Sequence, residues 1–357
     1  MKRRRAWAKR FLPLLLTFAL LLFPSPGRTK TEKDNPTIKL AAVGDILLDR
    51  GVAGRIERDG TRAIFARVKD TLYAADIAFG NLECPLAAQC KRVPQRISFQ
   101  AAPRTLEALT SAGFDIVSLA NNHSLDCGGE GLAETMRHLR QSGLRWSGAG
   151  LTRAEAEAPV ILNVKGIRVA FVGFTSIQPK ALADLKDDEP RVALASSLTL
   201  KRVVAAARLQ ADVVVASLHW GIEYASRPAD EQRELARVAV DAGADLVLGH
   251  HTHTLQGVEL LTTRTANETR RALVIYSLGN FAFDSTQAVG RRVRESVILS
   301  LELSRDGLVS AELLPVILEN YLPRPASSAE SQTILARLSA LSAELGTTIT
   351  NGHVKLK

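Results

Sequence analysis

The period of the apolar positions changes along this chain. Through the first half, short strand-length apolar runs alternate with stretches in which apolar residues recur every three or four positions. Thr37–Val43 (TIKLAAV) is a half-alternating strand that runs into Gly44-Asp45. A helix is expected around Arg62–Thr71, then a strand at Asp76–Phe79 that ends on Gly80-Asn81-Leu82-Glu83. Pro103 opens another helix, at a position where its missing N–H costs nothing. Phe114–Ala120 is a buried strand ending on Asn121-Asn122-His123, and Gly128-Gly129 release the backbone into the next helix. Leu132, Met136 and Leu139 recur there at helical spacing, and Gly143 stops the helix. His138 falls on its polar side and reads as a solvated residue.

Val160–Val164 and Arg168–Phe174 read as a hairpin around Lys165-Gly166, followed by a charged loop at Asp184–Pro190. Ser197–Gln210 is a helix presenting Leu200, Val203, Val204 and Ala207 inward. Asp212–Leu218 is a fully apolar strand delivering His219-Trp220-Gly221. Pro228–Ala242 is helical, and Asp245–Leu248 is a strand delivering Gly249-His250-His251-Thr252-His253. Beyond this the alternation stops. Val258–Leu261, Leu273–Leu278, Ser296–Leu303 and Leu308–Val316 all read as strands, before an amphipathic helix at Leu335–Leu345 and a frayed tail. The pattern implies an α/β fold in which two sheets pack together under flanking helices, in one domain of roughly 280–300 residues. The expected divisions are a leader and linker at 1–36, the domain at 37–320, and a C-terminal helix and tail at 321–357.

Charge changes this picture only at the N-terminus. The chain carries a net +9, but residues 1–36 hold nine Lys/Arg against two Asp/Glu, so +7 belongs to them and +2 to the rest. A basic nucleic-acid-binding face is therefore not expected. Lys2, Arg3, Arg4, Arg5, Lys9 and Arg10 precede a short apolar run, Phe11–Phe23, and the small residues Ser25-Pro26-Gly27. This is the layout of an export signal, with an uncleaved membrane anchor as the other reading. Arg4-Arg5 also loosely resembles a twin-arginine signal. The three cysteines are an odd count: Cys84 and Cys90 share a Pro-containing loop and could close a local disulfide, which would leave Cys127 free.

The chemistry gathers where strands end. Asp45, Asn81 with Glu83, Asn122 with His123, His219, and His251 with His253 each follow an apolar run. One such junction is an ordinary turn, but parallel strands would bring all of them to one sheet edge. An oxygen and imidazole set of this kind suits zinc, manganese or iron, as one or two divalent ions. With no thiolates, it leaves open positions suited to activating water. His123, beside a ligand yet free to protonate, would serve a leaving group as general acid. In an extended segment His251 and His253 would share one face.

The motifs AAVGDILLDR, FGNLECPL, SLANNHSLDCGGEGL, LHWGIEY, GADLVLGHHTH and YSLGNFAFD, in this order from about residue 40 to 285, resemble the CapA family. These are PgsA-type capsule or poly-γ-glutamate synthesis proteins, within the calcineurin-like metallophosphoesterase superfamily. The resemblance implies a four-layer α/β/β/α sandwich of metallophosphatase type. It implies Asp45, Asn122, His219, His251 and His253 as metal ligands and His123 as the catalytic histidine. His250 is an extra neighbour of supporting or structural role, and Cys127 stands where an aromatic is common, which implies packing. Two departures stand out. Asp45-Ile46-Leu47 lacks the imidazole of the usual Asp-x-His, and Asn81 occupies the place of a bridging aspartate, with Glu83 the nearest carboxylate to replace it. Arg50, Glu223 and Asn280 fall in the same motifs; Arg50 is a candidate for an anionic substrate group or a solvated surface residue, and Trp220 for a pocket wall or simply core. Two functions follow as expectations. The first is an exported metal-dependent hydrolase of phosphoester or polymer linkages. The second is a non-catalytic accessory in a membrane complex that makes or exports an anionic surface polymer.

Overall fold

Ile38–Ile46 is apolar on both faces, which makes it an interior strand. Ile38, Leu40 and Ala42 enter one hydrophobic cluster while Ala41, Val43 and Ile46 enter another, because successive strand side chains point to opposite sides. The computed structural model describes residues 36–186, 188–264, 269–284 and 290–356; the expected export signal or anchor lies outside them. The same division recurs in Val213–His219: Val213 and Val215 join the first cluster, Val214, Ala216 and Leu218 a third. Two sheets thus share an inner core, and each has a separate outer core beneath helices. Arg50–Asp59, Leu106–Ala112 and Gly128–Ser142 cover one sheet; Ser197–Arg208 and Asp230–Asp241 cover the other. The result is the expected four-layer α/β/β/α sandwich.

Among the described residues, the larger sheet has ten strands. Its order is Ile349–Thr350, His353–Val354, Gly307–Glu319, Glu295–Ser304, Ile38–Ile46, Ile77–Leu82, Ile116–Ser118, Arg145–Ser147. Asn280–Ala282 pairs beside Ile38–Ile46, and Leu322–Pro325 beside Gly307–Glu319. The smaller sheet runs Val258–Arg264, Thr269–Ile275, Leu246–His250, Val213–His219, Ile167–Thr175, Val160–Val164. The strands from Ile38 to Ser147 are mutually parallel, as are the middle four of the smaller sheet. Their carboxyl ends therefore collect on one edge. Two glycines let that edge close: a Cβ on Gly44 or Gly249 would lie 1.9 Å from the carbonyl oxygen of Gly279 or Tyr276.

The hairpin at 160–175 forms as expected, with Lys165 and Gly166 at φ 51° and 79° in its turn. Elsewhere local chemistry corrects the sequence reading. The helix expected around Arg62–Thr71 is instead Arg50–Asp59, a single 3₁₀ turn at Thr61–Ala63, and Lys69–Tyr73. Asp49 caps the first by accepting the Arg50 N–H, Gly60 ends it, and Val52 and Ile56 face the core. The final helix starts at Ser328, not Leu335, because Ser327 and Glu330 form a capping box. The tail does not fray: Ile349–Thr350 and His353–Val354 form a hairpin whose Ile349 and Val354 side chains are buried.

The cysteines also pair differently. Cys90 is bonded to Cys127, with S–S 2.07 Å and Cα–Cα 5.2 Å, and Cys84 is the free thiol. Cys84 lies in the outer core, where its sulfur accepts the Leu48 N–H at 3.4 Å. The loop after it carries Cys90 back to the start of helix Gly128–Ser142, and Cys127, expected as packing, becomes the bridging partner.

Among the described residues no helix is long and apolar enough to cross a membrane.

Candidate metal centre

Strand register brings the first residues together. Asp45 pairs in parallel with both Asn81 and Asn280, so three polar side chains emerge side by side from the larger sheet. In the smaller sheet His219 pairs with His250. The two groups meet across the gap between the sheets: Asn81 Nδ2 donates to Asp45 Oδ1 at 2.8 Å and lies 3.3 Å from His219 Nδ1. His219 Nε2 in turn sits 2.7 Å from Asn122 Oδ1.

Asp45 is the hub. The His251 backbone N–H donates to its Oδ2 at 3.2 Å, His253 Nδ1 lies 3.4 Å from Oδ2, and His250 Nδ1 lies 3.3 Å from Oδ1. Asn280 Oδ1 is 2.9 Å from His253 Nδ1 and steadies that ring. The strand ends at His250, and His251 and His253 sit in left-handed backbone conformations, φ 88° and 57°. The expected extended His-x-His pair is therefore a tight loop. It places the two rings 6.1 Å apart, and His251 4.8 Å from His219. Left-handed backbone at non-glycine residues is costly and persists where the surroundings impose it.

Asp45, Glu83 and His219 each bring a ligand atom within 4.8 Å of the others, and all three are buried. Glu83 is fully buried, and among the described residues neither of its carboxylate oxygens has a hydrogen-bond partner. Among the described residues His251 Nδ1 and His250 Nε2 likewise have no hydrogen-bond partner, and His250 Nδ1 has only its 3.3 Å approach to Asp45. Buried polar atoms are almost always satisfied, and a buried carboxylate needs a compensating charge. The residues therefore fit a divalent cation, with Glu83 supplying the carboxylate that the second junction would otherwise lack. Asn81 turns the opposite way from a ligand: its oxygen accepts from Asn121 at 3.1 Å, and its NH₂ faces Asp45 and His219.

The electrostatics separate the groups. Burial opposes the charge on Asp45, but hydrogen bonds from His250 and His253 outweigh it and hold the carboxyl well below its usual range. Burial, with Asp45, Glu223 and Asp126 nearby, pushes Glu83 well above its usual range. Burial and the adjacent His251 push His219 down. Burial and His253 lower His251 to about 3. Both imidazoles are thus held neutral, the form that ligates metal.

His123 stands beside this cluster with a different partner. Its Nδ1 lies 2.8 Å from Asp126 Oδ2, which leaves Nε2 as the nitrogen that can exchange a proton. The Asn121 side chain accepts the His123 N–H at 3.1 Å and so fixes the turn. Phe99 packs 4.3 Å from the His123 ring, Phe283 4.7 Å and Tyr224 6.0 Å from the His253 ring, forming an aromatic rim. Arg50 lies over Phe99 at 5.7 Å and pairs with Asp284 at 3.2 Å. Glu223 is exposed on the following loop. Trp220 is core, not pocket wall: it is buried, stacks on Tyr276 and donates to that residue's carbonyl at 2.9 Å. Asp126, Phe99, Tyr224 and Phe283 were not singled out in the sequence. Asp126, three residues after His123, was the one with a readable signal.

Two sheets that deliver buried imidazoles and carboxylates to a shared edge form a candidate metal site in an α/β/β/α sandwich. The comparisons give the family. Residues 39–285 match the bacterial capsule synthesis protein family PGA_cap. The chain is 31% identical over 332 residues to the capsule biosynthesis protein CapA of Bacillus anthracis, covering 89% of this chain and 77% of that one. It is 31% identical over 339 residues to the PGA biosynthesis protein CapA of Bacillus subtilis, covering 92% and 86%. The chain belongs to the CapA (PGA_cap) family. Among solved structures it is similar to the NAD nucleotidase of Haemophilus influenzae, with TM-score 0.46 and 12% identity over 85% of this chain and 56% of that one.

Proposed function

We propose that this chain is an exported, metal-dependent hydrolase that acts in the synthesis of an anionic capsule polymer of the poly-γ-glutamate type, on a polymer or phosphoester linkage. The observation that carries the reading is Glu83, whose two buried oxygens, next to Asp45 and 3.8 Å from His219, have no hydrogen-bond partner among the described residues. Asp45, Glu83, Asn122, His219, His251 and His253 hold the cation, of the zinc, manganese or iron class. When bound, it supplies Lewis acidity toward the scissile centre and acidifies water. His123, with Nδ1 fixed by Asp126, delivers a proton from Nε2 to the leaving group. Arg50 and Arg96, whose charges act on the Tyr224 hydroxyl against those of Glu223 and Glu83, offer positive groups at the rim for an anionic chain. The basic leader and the Cys90–Cys127 disulfide support an oxidising compartment outside the cytoplasm.

One observation favours a second reading, a non-catalytic accessory of a polymer-synthesis complex at the membrane. Asn81 offers an amide N–H where a bridging carboxylate would join two cations, and Leu47 replaces an imidazole. The two readings separate in one assay: the purified full chain with added zinc, manganese or iron(II), on phosphodiester and γ-glutamyl substrates, against His251→Ala. Turnover that His251→Ala abolishes supports the hydrolase. A metal-loaded chain that cleaves neither substrate class overturns it in favour of the accessory role.

A further inference from the structure

Two consecutive residues, Asp126 and Cys127, hold the loop that runs between Ala88 and Phe99. This loop has no helix or strand of its own. Cys127 is bonded to Cys90. The Asp126 carbonyl accepts the Val93 N–H at 2.8 Å. The Asp126 carboxylate accepts the Gln95 side-chain amide on Oδ1 and the Phe99 N–H on Oδ2 at 2.7 Å. That same Oδ2 is the partner of His123 Nδ1. The helix that follows makes room for the bridge: a Cβ on Gly131 would lie 2.2 Å from the Cys127 Cβ. Cys127 is buried, while Cys90 is half-buried.

We propose that the Cys90–Cys127 disulfide is a positioning device for His123. Closing the loop keeps the Phe99 N–H and the Gln95 amide on Asp126, and so keeps Asp126 on His123 Nδ1 in one orientation. A dithiol opens it: the S–S bond takes up two electrons and two protons to give two thiols, and the dithiol leaves as its own disulfide. The freed loop then exposes Asp126 to water, and the imidazole loses its fixed tautomer. Asp45, His219, His251 and His253, which hang on other strand ends, keep their places. Cys90 and Cys127 act through Asp126 and are positioning residues, not catalytic ones.

The catalytic meaning of the device rests on the hydrolase reading, but its test does not. The full chain, labelled with ¹⁵N-histidine, is compared by NMR before and after dithiothreitol and as Cys90→Ser, with the His123 signal identified by its loss in His123→Gln. The oxidised chain should show a slowly exchanging Nδ1 proton on His123. Reduction should speed that exchange at least tenfold while bound metal per chain stays unchanged. Where turnover is measurable, kcat should fall about tenfold with KM little altered. Exchange equally slow in the reduced chain overturns the proposal and leaves the disulfide a purely stabilising link. Reduction needs no substitution, so a misfolded Cys90→Ser does not spoil the comparison. Absence of turnover in both redox states counts against the hydrolase reading alone, because the imidazole measurement still decides this one.

Discussion

Asp45 and Glu83, fully buried near the ends of neighbouring parallel strands, experience opposite environments. Asp45 collects N–H groups from Asn81 and His251 and the rings of His250 and His253. Glu83 collects no hydrogen bond. Within a space where candidate ligand atoms lie within 4.8 Å of one another, one carboxylate is compensated by the chain and the other is not.

In metal-stripped protein at pH 8 Glu83→Gln should stabilise the fold, by about 1–3 kcal/mol, by removing a buried carboxyl that must either hold its proton above the ordinary range or ionise without a hydrogen bond. Because the Glu83 pKa is raised on folding, the folded state binds the extra proton above the ordinary carboxylate range. The parent's stability from this group is therefore present at low pH and is lost as pH rises, and Glu83→Gln should flatten that loss. Urea unfolding of stripped parent and variant at pH 5 and pH 8 measures it; an equal pH response in both contradicts the assignment.

His251 runs the other way. Its folded pKa is lowered to about 3, so the unfolded chain binds the proton first as pH falls. Stripped protein should lose stability below the ordinary histidine value of about 6.5, by up to about 1.4 kcal/mol per pH unit, and His251→Ala should remove that part of the slope. Urea unfolding of both proteins between pH 7 and pH 5 reports the difference.

Much of this was legible in the sequence. The apolar runs located the strands because interior parallel strands are apolar on both faces, and Asp45, Asn81, His219 and His250 follow such runs directly. The juxtaposition of Asp45 with Asn81 and of His219 with His250 then follows from parallel register. What escaped depended on contacts distant in sequence or on local capping. The Cys90–Cys127 bridge spans 37 residues, whereas the nearer Cys84 points into the core. The helix at Arg50 announces itself only through the Asp49 cap. The loop geometry of His251 and His253 needed backbone angles that no spacing rule supplies.

His123→Ala should lower kcat by roughly 10²–10⁴ if the residue is the general acid. Asp126→Asn should lower it less, because the imidazole remains but its orientation is no longer fixed. Bound metal should be unchanged in both variants. Steady-state kinetics alongside elemental analysis tests the pair; loss of metal in Asp126→Asn would place that residue in the metal site instead.

Arg96→Glu should weaken an anionic polymer substrate at the rim without touching the metal ligands. A roughly tenfold rise in KM corresponds to about 1.4 kcal/mol, with kcat little changed. The effect should shrink as salt is raised, since the rim is exposed. A salt-independent effect, or one confined to kcat, contradicts the rim assignment.

The most direct measurement is calorimetric titration of the stripped full chain with zinc or manganese, for the parent and for Glu83→Ala. The account predicts stoichiometric binding by the parent and a loss of affinity of at least roughly tenfold in Glu83→Ala, with His219→Ala behaving alike. Equal affinity in parent and Glu83→Ala, or no binding by the parent, would contradict the claim that Glu83 is held bare for a cation.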